Sequence, residues 1–192
     1  MINYTPPTKH TSLFYNSEEE YLDIVVPYLK AGLENNEFVA WVIPEAMEIK
    51  EAESYLRDSV GDLDYYIKKE QIAIKDYKSV YFEDGIFTAT KIMEKIAILE
   101  KQALKKGFKG IRVTGDGTWA LRYYWVNFLI YEKDLNIFID QSKIRALCAY
   151  SMSKLDLKKI HDIGMNHQSS LVKQMDNWSR LEPEEFQKSN IC

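Results

Sequence analysis

Phe38-Val39-Ala40-Trp41-Val42-Ile43 is an unbroken run of apolar residues, closed by Pro44. A strand with one wet face alternates apolar and polar residues. A strand buried on both faces reads as a continuous run, the habit of parallel sheets covered by helices. Two more segments repeat the pattern: Gly110-Ile111-Arg112-Val113-Thr114 and Ile144-Arg145-Ala146-Leu147-Cys148-Ala149-Tyr150. The stretches between them have helical spacing. Asn16 or Ser17 suits a cap, and Glu18-Glu19-Glu20 suit a first turn. Tyr21, Leu22, Ile24, Val25, Tyr28, Leu29 and Leu33 then recur on one face, with a bend expected at Pro27. Helices are also expected over 45–58, 88–106 and 118–139. A last helix runs from Ser153 or Asp156 to about Lys173.

Helices alternating with buried strands predict an α/β fold: a three-layer, doubly wound, mostly parallel sheet. It occupies 1–175 as one domain, and 176–192 reads as a polar tail. Thr11–Tyr15 reads as a first edge strand after a mobile arm. Residues 64–82 hold short β-like pieces at 65–67, 72–74 and 79–81, and 82–87 reads as a turn.

The chain has 192 residues, 46% of them apolar and 28% charged, which is ordinary for a globule. With 25 basic against 29 acidic residues the net charge is −4. No basic excess exists to hold a phosphate backbone, so direct nucleic-acid binding is not expected. The first ten residues lack an apolar signal core, and no run of apolar residues is long enough to span a bilayer. Cys148 and Cys192 are the only cysteines, too few for a disulfide scaffold. A cytoplasmic protein without membrane contact is expected.

Thr114-Gly115-Asp116-Gly117-Thr118-Trp119 follows the second buried strand, where open α/β sheets place ligands. Asp116 either faces a ligand or bonds its own turn. Free amides at Thr118 could meet an anion. Trp119 and Tyr123 fall where they could wall a cavity, beside a core face at 121, 124, 125, 128 and 132. Arg122 is either solvated or a counter-charge to Asp116 or an anionic ligand. His10 is either an arm residue or a group closing over a pocket. Cys148 is either a packed thiol or a ligand contact.

No G-x-x-x-x-G-K-[ST] or G-x-G-x-x-G is present, and Tyr15-Asn16-Ser17-Glu18-Glu19-Glu20 has neither glycine nor lysine to hold a triphosphate. His161 and His167 fall on different faces of the expected last helix. Cys148 and His167 alone are too sparse for a zinc site. No metal and no cofactor are expected.

The chain resembles the MEDS domain, the sensory domain of methanogens and methylotrophs named partly from a dichloromethane-responsive repressor. The residues that carry the likeness are His10-x-x-Leu13-Phe14-Tyr15, Glu18-Glu19-Glu20, Val26-Pro27-Tyr28-Leu29-Lys30-Ala31-Gly32-Leu33 and Gly110 through Leu121. Tyr131-Glu132 and Ala146-Leu147-Cys148-Ala149-Tyr150 continue it. The resemblance implies a divergent RecA/KaiC-type fold without its phosphate-binding loop. It also implies a role in sensing small organic or one-carbon compounds. It puts the family's acidic residue on Asp116, its Trp on Trp119 and its early His on His10. The family's His-Pro ending is not reproduced, since Gln168 follows His167.

The expected function is therefore a stand-alone sensing domain for a small organic compound, without ATP hydrolysis. It would signal through a protein partner or a change in a homo-oligomer. The expected ligand-binding residues are His10, Tyr15, Asp116, Trp119, Arg122 and Cys148. The alternative is an interaction protein with no ligand of its own. An enzyme would need Asp116, His10 and Cys148 to converge.

Overall fold

The computed structural model describes residues 8–188. In chain order the strands are β1 (His10–Tyr15), β2 (Phe38–Ile43), β3 (Ile72–Asp76), β4 (Phe82–Glu83), β5 (Ile86–Phe87), β6 (Ile111–Asp116), β7 (Ile144–Ser151), β8 (Ser169–Gln174) and β9 (Asn177–Leu181). The helices are α1 (Glu18–Glu34), α2 (Ile49–Ser59), α3 (Leu63–Lys68), α4 (Tyr77–Tyr81), α5 (Ala89–Lys105), α6 (Trp125–Asp140), α7 (Leu157–Met165) and α8 (Pro183–Lys188). Seven strands form one sheet in the order β3-β2-β6-β7-β1-β8-β9, parallel except for β9, and β4-β5 is a separate hairpin. Two cores flank the sheet. One lies under α1 and α2, around Trp41, Tyr21 and Leu29. The other lies under α5, α6 and α7, around Phe128, Tyr131 and Tyr150.

The buried runs give the central strands, as their continuous apolarity predicts. Trp41 is fully buried and donates its indole N–H to the Tyr21 hydroxyl at 2.7 Å. Several other expectations are corrected. β1 lies inside the sheet, between β7 and β8. Its Thr11 and Ser12 make it look like an edge, but Ser12 Oγ donates to Ser170 Oγ at 2.6 Å, so its polar groups are satisfied internally. The ring-rich pieces at 65–67 and 79–81 are helical. Asp62 accepts the Tyr65 N–H and Asp76 accepts the Ser79 N–H, and these caps outweigh β propensity. The turn expected over 82–87 is the β4-β5 hairpin.

The helix expected over 118–139 is interrupted: a 3₁₀ turn at Thr118–Leu121 precedes α6. The last helix is short. Asp156 caps it, and the chain then re-enters the sheet as β8. The expected polar tail supplies β9 and α8, and Phe186 of α8 is buried against Gly164. Residues 1–7 of the expected arm, and Cys192, lie outside the described residues. Among those described, no helix is long and apolar enough to cross a membrane.

Candidate functional site

Small side chains line the α5–α6 face of the sheet: Ala40 of β2, Ala73 of β3, Gly115 of β6, and Ala146 and Cys148 of β7. Helices packed over such a floor leave space, here a cavity of about 460 Å³. That lies within the usual range for small-molecule sites. Ile92, Ile96 and Leu99 of α5 and Tyr131 and Leu135 of α6 wall it, with Tyr81 of α4. Gly115 makes room for the Tyr81 hydroxyl, which a Cβ there would approach to 2.7 Å. The exposed lining residues Lys75, Ser79, Lys95, Ile98 and Gln102 mark the mouth.

Cys148 lines the cavity and also belongs to a buried polar cluster with His10, Glu132 and His167. β1 supplies His10, α6 supplies Glu132, and the turn between α7 and β8 supplies His167. His10 Nε2 lies 3.2 Å from Glu132 Oε2 and 3.5 Å from Cys148 Sγ, and His167 Nε2 lies 3.4 Å from the same carboxylate oxygen. The two imidazoles lie with centroids 4.1 Å apart and planes tilted by 30°. The Tyr150 hydroxyl donates to Glu132 Oε1 at 3.0 Å.

Burial pushes the Glu132 carboxyl up, but the His10 hydrogen bond, the electrostatic pull of the two neighbouring imidazoles and the Tyr150 hydroxyl outweigh it and hold it below its ordinary value. Burial and the neighbouring His10 imidazole, opposed by Glu132 and the Ile163 carbonyl, lower His167 to about 3, so its imidazole is neutral. Burial, reinforced by Glu132, raises the Cys148 thiol well above its ordinary value. The donor set is one sulfur, two imidazole nitrogens and one carboxylate oxygen, a set that suits a borderline transition-metal ion.

The six expected site residues do not form one site. His10 and Cys148 come together, and of the two Cys148 lines the cavity. Tyr15 and Asp116 come together on the opposite sheet face, where the Tyr15 hydroxyl donates to Asp116 Oδ2 at 2.6 Å. Asp116 Oδ1 accepts the Thr118 N–H at 2.8 Å, so the turn amide expected to meet an anion is already taken. Burial raises the Asp116 carboxyl despite these bonds. Trp119 sits beside the cavity wall, 4.9 Å from the Tyr81 ring and 5.4 Å from Phe128, with its indole nitrogen buried and without a partner. Arg122 and Tyr123 are exposed and do not line this cavity.

Glu132 and His167 are not among the expected site residues. Position 132 reads as core face and as part of the family likeness, and a carboxylate between Phe128 and Leu135 on a buried stripe is the signal that marks it; His167 with Cys148 alone is too sparse for a metal site. His167 was assigned to a helix that ends before it.

A parallel sheet of this order, covered on both faces, is a RecA/KaiC-type α/β scaffold. Among solved structures the chain is similar to a KaiC-like protein of the hyperthermophilic archaeon Pyrococcus horikoshii OT3. The two share 18% identity at a TM-score of 0.55, over 91% of this chain and 77% of that one, which is a likeness of fold. The chain belongs to the MEDS family: the model of the methanogen/methylotroph, DcmR sensory domain matches residues 9–168. No curated relative matches it.

Proposed function

We propose that this sensory domain binds a small, largely apolar organic compound in the cavity between the sheet and α5–α6, and acts on no nucleotide. The cavity carries the reading: small side chains on four adjacent strands open an apolar space that ends on the Cys148 thiol. The β1–α1 junction supports the second half. Ser17 Oγ accepts the Glu20 N–H, and Glu20 Oε2 accepts the Asn16 N–H at 2.8 Å. The chain's own side chains thus take up the amides a phosphate loop would present, and three glutamates repel a triphosphate.

α6 supports a route outward. Its inner face gives Tyr131 to the cavity and Glu132 to the cluster. Its outer face exposes Val126, Ile130 and Ile137, each more than half accessible. A second copy of this chain meeting that stripe is the proposed output.

The test is a thermal-shift series with uncharged halogenated and sulfur-containing alkanes on the wild type and on Ala146→Phe, which fills the cavity floor. Ligand at about a hundred times Kd stabilises by about 2.7 kcal/mol, or about 5–10 °C for a chain of this size. The reading expects that shift in the wild type and its loss in Ala146→Phe. Equal shifts in both proteins, or no shift in the wild type, contradict it.

A further inference from the structure

Behind the Cys148 end of the cavity lies a buried cluster with polar atoms that the fold leaves unsatisfied. His10, Glu132 and His167 are each 2% exposed or less. The outer nitrogens fix both imidazole tautomers. His10 Nδ1 faces Asn136 Oδ1 at 3.1 Å, and His167 Nδ1 faces the Ile163 carbonyl at 2.8 Å. Both partners only accept, so each Nδ1 carries a proton and each Nε2 turns toward Glu132 Oε2. Bare imidazole nitrogens and a carboxylate oxygen are all acceptors and repel at these distances, and the neutral cluster has only the Cys148 thiol proton to share, which lies 3.5 Å from His10 Nε2. One proton on His10 Nε2 bridges one pair. It leaves His167 Nε2 buried and without a partner, a costly state in a dry interior. A cation satisfies all of these atoms together.

We infer that His10 Nε2, His167 Nε2, Glu132 Oε2 and Cys148 Sγ bind one divalent transition-metal ion of the zinc class. Tetrahedral zinc, with bonds of about 2.0–2.1 Å to nitrogen and oxygen and about 2.3 Å to sulfur, has N···O edges of about 3.3 Å and S···N edges of about 3.6 Å. The cluster shows 3.2 and 3.4 Å for the first kind and 3.5 Å for the second. All four donor atoms lie within 4.8 Å of one another, so the wider edges close on binding. Tyr150 occupies Oε1 and leaves Oε2 to bind through one oxygen. Asn136, the Ile163 carbonyl and Tyr150 form the outer shell that orients metal ligands. The ion displaces the Cys148 thiol proton to solvent. Sulfur and imidazole donors select zinc or cobalt over magnesium or calcium. This inference does not rest on the organic ligand, and Cys148 is the ligand that also faces the cavity.

The test uses the full chain carrying Cys192→Ser, stripped with chelator and titrated with Co²⁺ and then Zn²⁺, with circular dichroism reporting the fold. The inference expects one ion per chain, the intense visible bands of tetrahedral Co²⁺ and a thiolate-to-cobalt charge-transfer band, all bleached by Zn²⁺. Cys148→Ser removes the charge-transfer band. Asn136→Ala, at a half-buried position outside the ligand set, weakens binding by about tenfold or more. A folded wild type that takes up no stoichiometric Co²⁺ overturns the inference. So does a pale octahedral spectrum, or affinity unchanged in both variants.

Discussion

Arg112 crosses the core beneath α1 with 3% of its surface exposed. Its Nε donates to Glu37 Oε2 at 2.6 Å, its Nη1 donates to the Tyr28 carbonyl at 3.1 Å, and its guanidinium lies 4.9 Å from the Tyr28 ring centre. Gly32 lets it pass, since a Cβ there would stand 2.8 Å from Arg112 Cδ. Arg112→Ala leaves Glu37 buried without its counter-charge and is expected to cost about 3–5 kcal/mol in urea unfolding. A loss under about 1 kcal/mol would contradict this account of the pair.

Asp116 gives a pH signature. Burial first, aided by the charge of Glu45 and opposed by Tyr15 and Thr118, raises its carboxyl above the ordinary 3.8. A folded value above the unfolded one stabilises fully below the unfolded value, and that contribution is lost as pH rises through the folded value. Asp116→Asn does not titrate. The stability of the wild type relative to this variant therefore falls as pH rises from the ordinary carboxylate value. Urea unfolding across a pH series checks it, and a pH-independent difference contradicts it.

At the scale of elements, α6 joins inside to outside. A helix with Phe128, Tyr131, Glu132 and Leu135 buried and Val126, Ile130 and Ile137 exposed presents apolar side chains on both sides, the outer ones flanking exposed Lys133. Val126→Glu with Ile130→Glu is expected to change stability by no more than about 0.5 kcal/mol, as for surface sites. It is also expected to abolish self-association in light scattering. A wild-type monomer, or an oligomer that survives the pair, contradicts the route through a second copy.

The elements divide by how much local chemistry decides them. β2, β6 and β7 were legible because a strand buried on both faces must be apolar throughout. α1 was legible from Ser17 and the glutamates behind it. α3 and α4 were not, because Tyr65-Tyr66-Ile67 and Val80-Tyr81 favour strands until Asp62 and Asp76 cap them. β1 was misplaced as an edge because Thr11 and Ser12 are satisfied by β8, a partner more than 150 residues away.

For the whole molecule, alternating helices and buried runs announced the layered sheet, and the phosphate loop was visibly absent at Tyr15–Glu20. The candidate site was half legible. His10 and Cys148 were named, and the structure brings them within 3.5 Å. Asp116 and Tyr15 were named and pair on the other face. Glu132 and His167 do not join the expected site because the four residues sit at positions 10, 132, 148 and 167, with no local spacing for a motif to record. The cavity was hidden for another reason. It arises from what Ala40, Ala73, Gly115 and Ala146 lack, and small residues on a strand signal nothing until the opposing helices are in place.

The most direct test is a crystal structure of the chain soaked with dibromomethane, its bromine located by anomalous scattering. The account predicts a peak inside the cavity between Ala40, Gly115, Ala146 and Cys148. Bromine found only at surface positions, with the cavity closed by its own side chains or filled by ordered water, would contradict it.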